Sequence, residues 1–317
     1  MVQSGGLVTA MRDPALREKP WWGAGVAKLP GLENHGGRKA HASSNLAPTA
    51  IIYMKKRILL TGDDGYQSVG TRLVIRALNK QVDLTIVATK SQMSGVGGHV
   101  SLKSGGMWGE DLVDGVKVLW VDGYPADAME LVAGNFPSFD YIISGLNLGA
   151  NVGPGFPSGT VAAAVHGVAL HIAPKAIILS WHVGKEHYLR PHDVNEPLDS
   201  YDPYPLMSLS ALLKKLFVYD LWGATMVSIN FPEQMTSRAR LTKPLDNLQT
   251  FYNYPTTRDV KTHRFTYSVG SLPSSKNHES SEEVGALMED VISITPWRKN
   301  MFFEEVYNAV AVKDIQL

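Results

Sequence analysis

Two adjacent carboxylates, Asp63 and Asp64, follow the apolar run Arg57-Ile58-Leu59-Leu60-Thr61 and are bracketed by Gly62 and Gly65. A short apolar run bounded in this way reads as a buried strand, and the carboxyl end of such a strand is where open α/β sheets place their ligands. Neighbours on a regular strand point to opposite faces. Both carboxylates can therefore serve one site only where the strand breaks into a turn, and the two glycines supply that freedom. Side by side they repel unless a cation or a shared proton relieves the charge. Ionised oxygens of this kind suit hard divalent ions such as Mg²⁺ or Mn²⁺. Aspartate also caps turns and helices, so this segment alone supports either reading.

Three further polar segments sit at equivalent places. Ser94-Gly95-Val96-Gly97-Gly98 follows a second β-rich run. Successive N–H groups of a glycine-rich turn can cradle an anion, although an ordinary loop accounts for this segment taken alone. Ser144-Gly145-Leu146-Asn147-Leu148-Gly149-Ala150-Asn151 follows another strand. Asn147 offers a metal an uncharged amide oxygen; Asn147 and Asn151 suit turn formation equally well. Ser158-Gly159-Thr160 opens a small-residue helix whose unpaired N–H groups attract phosphate, while N-capping is the plainer role for Ser158. Four such segments on successive strand ends point together to a site for a hard cation and a phosphate-like anion. His99 and Lys103 follow the Ser94 loop. Each either reaches a phosphate or leaving group, or is an exposed residue at the entrance to a strand. His182, Glu186, His187 and His192 fall in an irregular stretch with no His-Glu-x-x-His helix, and read as solvated loop residues and not as a zinc site.

Residues spaced in this way need a scaffold of alternating strands and helices, and the sequence supplies one. Strands are expected at Arg57–Thr61, Asp83–Thr89, Lys117–Val121, Asp140–Ser144, Lys175–Trp181 and Ala224–Phe231. Helices are expected at Gly70–Asn79, Pro125–Val132, Gly159–Leu170 and Leu206–Phe217, with Trp181 to Pro205 a long surface loop. Beyond Pro232 the texture changes to short β-type segments such as Phe265–Val269, a serine-rich connection at Pro273–Glu283, and a late core strand at Val291–Thr295. The expected architecture is one α/β domain over residues 54–317. Residues 54–232 form its core and 233–317 a C-terminal β-rich elaboration with a hairpin and a final core strand. Residues 1–53 show no lasting period, and Gly5 to Ala10 is too short and broken for a secretory signal. They read as an extension without structure or as a start assigned too early, with Met54 opening the folded domain.

Composition narrows the function classes. The chain has 317 residues, 44% hydrophobic and 19% charged, which is normal for a folded protein with a sizeable core. Its 30 basic and 30 acidic residues cancel, so no broad basic surface for nucleic acid is expected. Cysteine is absent, which excludes disulfides, thiolate catalysis and cysteine-bound zinc. That fits a reducing compartment, and a cytoplasmic location is the expectation. No apolar stretch reaches the length of a membrane span. A dinucleotide-dependent oxidoreductase has little support, because no Gly-x-Gly-x-x-Gly follows the first strand.

The order of motifs resembles the SurE (survival protein E) family of metal-dependent nucleotidases and phosphatases. The resemblance rests on Gly62-Asp63-Asp64-Gly65, Ser94-Gly95, Tyr124-Pro125-Ala126-Asp127-Ala128, Ser144-Gly145-Leu146-Asn147-Leu148-Gly149 and Ser158-Gly159-Thr160-Val161-Ala162-Ala163-Ala164. It covers about Met54 to Trp181, with echoes at Ser228–Pro232 and Ile292–Pro296. It implies a Rossmann-like three-layer α/β/α sandwich in which Asp63, Asp64, Ser94 and Asn147 bind one divalent ion, Mg²⁺ or Mn²⁺. It also implies that Ser158, Gly159 and Thr160 hold a phosphate with Ser94, Gly95 and Asn147, and leaves His99 and Asn151 as candidate substrate contacts. The implied activity is phosphomonoester hydrolysis, catalysed at Asp63 and Asp64, on a nucleoside monophosphate or another phosphomonoester or polyphosphate. A homodimer or homotetramer is implied as well. Gly62 replaces the family's usual Asn, and Thr89–Met93 lacks its usual Pro, Asp, Arg and Asn, so a metal- and nucleotide-binding protein with weakened chemistry is the alternative.

Overall fold

The computed structural model describes residues 55–78, 81–184, 187, 192, 195–201, 205–246, 256–267 and 278–298. All of them belong to the unit Tyr53–Leu317. The expectations for residues 1–53 lie outside the described residues.

Among the described residues the main sheet has nine strands. They are β1 (Arg57–Thr61), β2 (Asp83–Thr89), β3 (Met107–Val113), β4 (Val116–Asp122), β5 (Tyr141–Leu148), β6 (Ala176–Trp181), β7 (Met226–Phe231), β8 (Ala239–Leu241) and β11 (Ile292–Trp297). Their order is β3-β4-β2-β1-β5-β6-β7-β11-β8. From β4 to β7 all neighbours run parallel; β3 returns antiparallel on β4, and β11 antiparallel on β7. The helices are α1 (Val69–Leu78), α2 (Pro125–Asn135), α3 (Gly159–Ala169), α4 (Leu206–Val218) and α5 (Glu283–Met288).

Strand alternation sorts the core into two layers. Ile58 and Leu60 of β1, Ile143 of β5 and Leu179 of β6 face one side, packed with Leu73 and Val74 of α1 and Leu209 and Leu213 of α4. Leu59, Ile142 and Ile178 face the other, packed with Met129 of α2 and Ala163 and Ala164 of α3. Helices on both faces of a mostly parallel sheet make the expected three-layer sandwich. The small side chains of α3 are what let it lie close: a Cβ on Gly167 would stand 2.5 Å from Ile142 Cδ1. Among the described residues, no helix is long and apolar enough to cross a membrane.

Some elements differ from expectation. The β3–β4 hairpin was not expected, since β3 buries little: Met107, Trp108 and Leu112 are exposed on this edge strand. Its turn, Asp114-Gly115 with φ of 46° and 77°, has the two positive φ values of a tight type I′ hairpin. The helix α5 begins at Glu283, where a connection was expected to end. Its buried cluster of Val284 and Leu287 with Val152 and Leu245 comes from segments distant in sequence. The β-rich elaboration is present as β8, β11 and a separate exposed hairpin of β9 (Thr256–Asp259) and β10 (Arg264–Tyr267).

Candidate active site

Between β1 and its two neighbours the chain reverses its direction of travel across the sheet: β2 lies on one side of β1 and β5 on the other. Loops leaving the carboxyl ends at such a switch point diverge and open a crevice. Here β1 and β5 are paired from Ile58↔Tyr141 to Thr61↔Ser144, so Gly62-Asp63-Asp64 and Gly145-Leu146-Asn147 emerge side by side. A narrow, tightly filled cleft lies between them, lined by Gly62, Asp63, Asp64, Ser68, Thr71, Gly145, Leu146, Asn147 and Thr160. The backbones meet closely. A Cβ on Gly145 (φ +114°) would lie 2.2 Å from Leu179 O, and one on Gly70 would lie 1.7 Å from Leu146 O, so both positions require glycine.

Asp63 is buried, and the Thr160 hydroxyl donates to its Oδ1. The same hydroxyl lies 3.3 Å from Asn147 Oδ1. Asn147 spends its amide Nδ2 on Gly149 O at 2.8 Å, which leaves Oδ1 facing Thr160. Thr160 is fixed in turn, because Ser144 Oγ donates to its carbonyl at 2.7 Å. Two oxygens from different strands thus converge on one hydroxyl. Asp64 accepts from Leu148 N at 2.8 Å through Oδ2 and from Gln92 Nε2 at 3.2 Å through Oδ1. Gln92 lies in the stretch that departs from the family's pattern, yet it supplies a tie to the second carboxylate.

The pair is electrostatically strained. Burial pushes the Asp63 carboxyl up, opposed by the Thr160 hydroxyl and by N–H groups of Asp63, Thr160 and Gly159. Burial, and then the charge of Asp63, push Asp64 up to about 7. Missing from this balance is positive charge: every opposing group is a neutral hydrogen-bond donor. The set of two carboxylates, an amide oxygen and nearby hydroxyls fits a hard divalent cation, which would relieve that strain. Among the described residues no group of three or more His, Cys, Asp or Glu side chains could hold a metal, so a cation here must draw on the amide and hydroxyl oxygens.

The remaining candidates divide. Ser158 caps α3, its Oγ accepting from Val161 N at 3.2 Å. Gly159 brings α3 against Asp63: a Cβ there would lie 2.8 Å from Asp63 Cβ and Oδ2. Ser94 and Gly95 are exposed, outside the cleft lining. Their loop is nonetheless tied to the site, with Met93 N donating to Asp63 O at 2.6 Å and Gly97 N to Pro157 O at 2.8 Å. His99 is exposed, its ring edge-on to Tyr124 at 4.2 Å between centroids. Asn151 is buried and occupied: its Nδ2 donates to Ser180 Oγ at 2.9 Å, and Asn230 brackets its backbone N and O, both at 2.9 Å. That is a clamp on the loop and not a group offered to a substrate.

Sequence reasoning missed Ser68 and Thr71, which line the cleft and bond each other at 3.0 Å. Ser68 precedes α1, and its Oγ accepts from Thr71 N at 3.2 Å; the signal available was its N-cap position. Glu283 was missed as well. It is fully buried, and its Oε2 accepts from Gly153 N at 2.6 Å and Leu245 N at 3.1 Å, holding the loop after β5 from behind.

A three-layer α/β sandwich with an acid-lined cleft at its switch point defines a class of ligand-handling α/β proteins. Within that class, the family described as Survival protein SurE matches residues 58–250, more than half of the chain, and the chain belongs to it. A protein named 5'-nucleotidase SurE from Solidesulfovibrio magneticus is 28% identical over 252 residues, 76% of this chain and 91% of the relative. One of the same name from Rubrobacter xylanophilus is 30% identical over 255 residues, covering 76% and 90%. The crystal structure of SurE protein from Aquifex aeolicus superposes with a TM-score of 0.60 at 20% identity, covering 80% of this chain and 97% of that one; at this identity the likeness speaks to the fold.

Proposed function

We propose that this protein is a phosphoric monoester hydrolase that removes phosphate from nucleoside monophosphates and requires a divalent cation. The observation that carries this reading is the convergence of Asp63 Oδ1 and Asn147 Oδ1 on the Thr160 hydroxyl, with Asp64 beside them, at the N-terminus of α3. The relatives named as 5'-nucleotidases support it. Asp63, Asp64 and Asn147 would hold the cation, with Ser94 brought in on the loop tied to Asp63. When bound, a hard divalent ion supplies charge neutralisation at phosphate oxygens and makes water more acidic.

The chain's own groups do the rest. The N–H groups of Gly95 and Val96 offer donors to phosphate oxygens, as glycine turns do, while those that open α3 are given to Asp63 and Ser158. Ser158 adds its hydroxyl nearby, whereas that of Thr160 is given to Asp63. The bonds from Val161 N to Ser158 Oγ and from Gly97 N to Pro157 O fix these donors before substrate arrives, which is what makes them effective as charge redistributes in the transition state. As an alternative to holding the cation, Asp64 is placed to accept the proton of an attacking water.

Phosphate release is the test, from nucleoside 5′- and 3′-monophosphates and simple phosphate esters, with Mg²⁺, Mn²⁺ or EDTA and with Asp63→Ala as control. Metal-dependent release abolished in the variant is the expected result. Release that persists in EDTA or in Asp63→Ala would refute the proposal, and Mn²⁺ binding without release would favour the weakened binding protein.

A further inference from the structure

Phe156 is 64% exposed although it lies two residues before the Ser158 cap. A single exposed apolar residue is ordinary; what sets this one apart is how firmly its backbone is held and between what. Ser158 N donates to Gly155 O at 2.9 Å, closing a turn with Phe156 and Pro157 at its centre. Gly155 (φ +59°) packs against the first turn of α3, where a Cβ would stand 2.9 Å from Val161 Cγ2. On the other side, Gly97 N donates to Pro157 O at 2.8 Å, and a Cβ on Gly97 would lie 2.9 Å from Phe156 O. The ring therefore projects from a fixed turn at the seam between the two segments offered above as phosphate donors.

We propose that Phe156 is the stacking platform for the base of a nucleoside monophosphate. This rests on the nucleotidase reading and adds the feature that would distinguish a nucleotide from other phosphate esters. Two residues of chain reach at most about 7 Å, so an aromatic group on the sugar of a phosphate held at the Ser158 hydroxyl comes within reach of the ring. A rigid aromatic binds a base face at low entropic cost and tolerates any base, because every base has a π-face. Preference for nucleotides over sugar phosphates, with little preference among bases, follows.

Calorimetric titration of AMP and of ribose 5-phosphate, each as its non-hydrolysable methylenephosphonate analogue and with Mg²⁺ present, into wild type, Phe156→Ala and Phe156→Trp tests this. AMP affinity should fall about tenfold in Phe156→Ala and return in Phe156→Trp, the scale expected for loss of one base–aromatic stack. Ribose 5-phosphate affinity should be the same in all three. Equal AMP affinity in wild type and Phe156→Ala, a parallel loss for both ligands, or no binding of AMP by wild type would overturn the proposal. Phosphate release from the parent esters, recorded alongside, separates the two readings. A selective AMP loss without turnover supports stacking and removes the hydrolase; turnover of both ligands without selective loss does the reverse.

Discussion

Alanine at Gly159 sets two effects of opposite sign against each other. Inside a helix alanine is favoured over glycine by about 1 kcal/mol, and less at the first helical position, which Gly159 occupies. Against this, a Cβ would stand 2.8 Å from Asp63 Cβ and Oδ2 and 2.9 Å from Pro125 Cγ. Neither neighbour is the loose end of a flexible side chain: Asp63 is buried under the Thr160 hydroxyl, and Pro125 opens α2. Forcing an extra carbon into such a place costs about 1–3 kcal/mol. Overpacking should win, leaving Gly159→Ala less stable by about 1–2 kcal/mol. Gly134 in α2 supplies the control, since nothing lies within 4 Å of the Cβ it would gain. There the same substitution should stabilise by up to about 1 kcal/mol. Differential scanning calorimetry of the three proteins reads the difference at about 2–4 °C per kcal/mol for a domain of this size class. Phosphate release should fall in Gly159→Ala, because the carbon displaces the Asp63 carboxylate, and stay unchanged in Gly134→Ala. A Gly159→Ala protein that melts at or above wild type with full turnover would refute the steric reasoning.

Mn²⁺ at about a hundred times its dissociation constant should stabilise wild type by about 2.7 kcal/mol; Asp63→Asn should melt at the same temperature with and without the ion, and an equal rise in both would sink the assignment of Asp63. Burial raises the Glu283 carboxyl above its ordinary value of 4.5. Its folded form binds protons more readily than its unfolded form, so its contribution to stability is present below that value and lost as pH rises through the raised one. The melting temperature of wild type relative to Glu283→Gln should therefore fall between acid and neutral pH, and a constant offset would contradict the assigned burial cost. The β9–β10 hairpin carries exposed Phe265 and Val260, and we predict that it forms the contact of the dimer or tetramer implied by the family resemblance. Light scattering should report an oligomer that Phe265→Asp dissociates; a monomeric wild type would remove that role.

The layer architecture was legible because each central strand is a short, largely apolar run, and β1 and β5 are each followed at once by glycine. Of the helices between them, α1 and α4 carry clear apolar periods. The carboxylates and Asn147 were legible because they lie at such ends, and Thr160 because it opens a small-residue helix. Their supports were not. Glu283 holds Gly153 across 130 residues, and Asn230 holds Asn151 across 79. Neither pairing leaves a local pattern, since it depends on β7, β11 and α5 coming to lie behind the β5 loop. Asn151 shows the cost of reading polarity alone: a polar residue in a glycine-rich turn looked like a substrate contact, and its partners turn out to be Ser180 and Asn230. The edge strand β3 was missed for the opposite reason, because an edge strand buries too little to show alternation, although its partner β4 was expected at Lys117–Val121.

The electrostatics of the cleft also decide how the plain and the chemical readings of α3 fit together. Its first N–H groups face Asp63, so the positive end of the helix is engaged with one of the protein's own acids. A phosphate brought there alone would meet two carboxylates. Each pair of unit charges about 4 Å apart repels by about 4 kcal/mol at an effective dielectric of about 20. A helix end returns only about 0.3–1 kcal/mol. The cleft therefore repels the anion it would have to bind until a cation occupies the carboxylates, and a cation at Asp63 and Asp64 reverses that sign. The N–H groups that open α3 therefore serve the phosphate indirectly: they hold Asp63 in place for the cation, and the cation is what makes that end of the cleft fit to receive an anion.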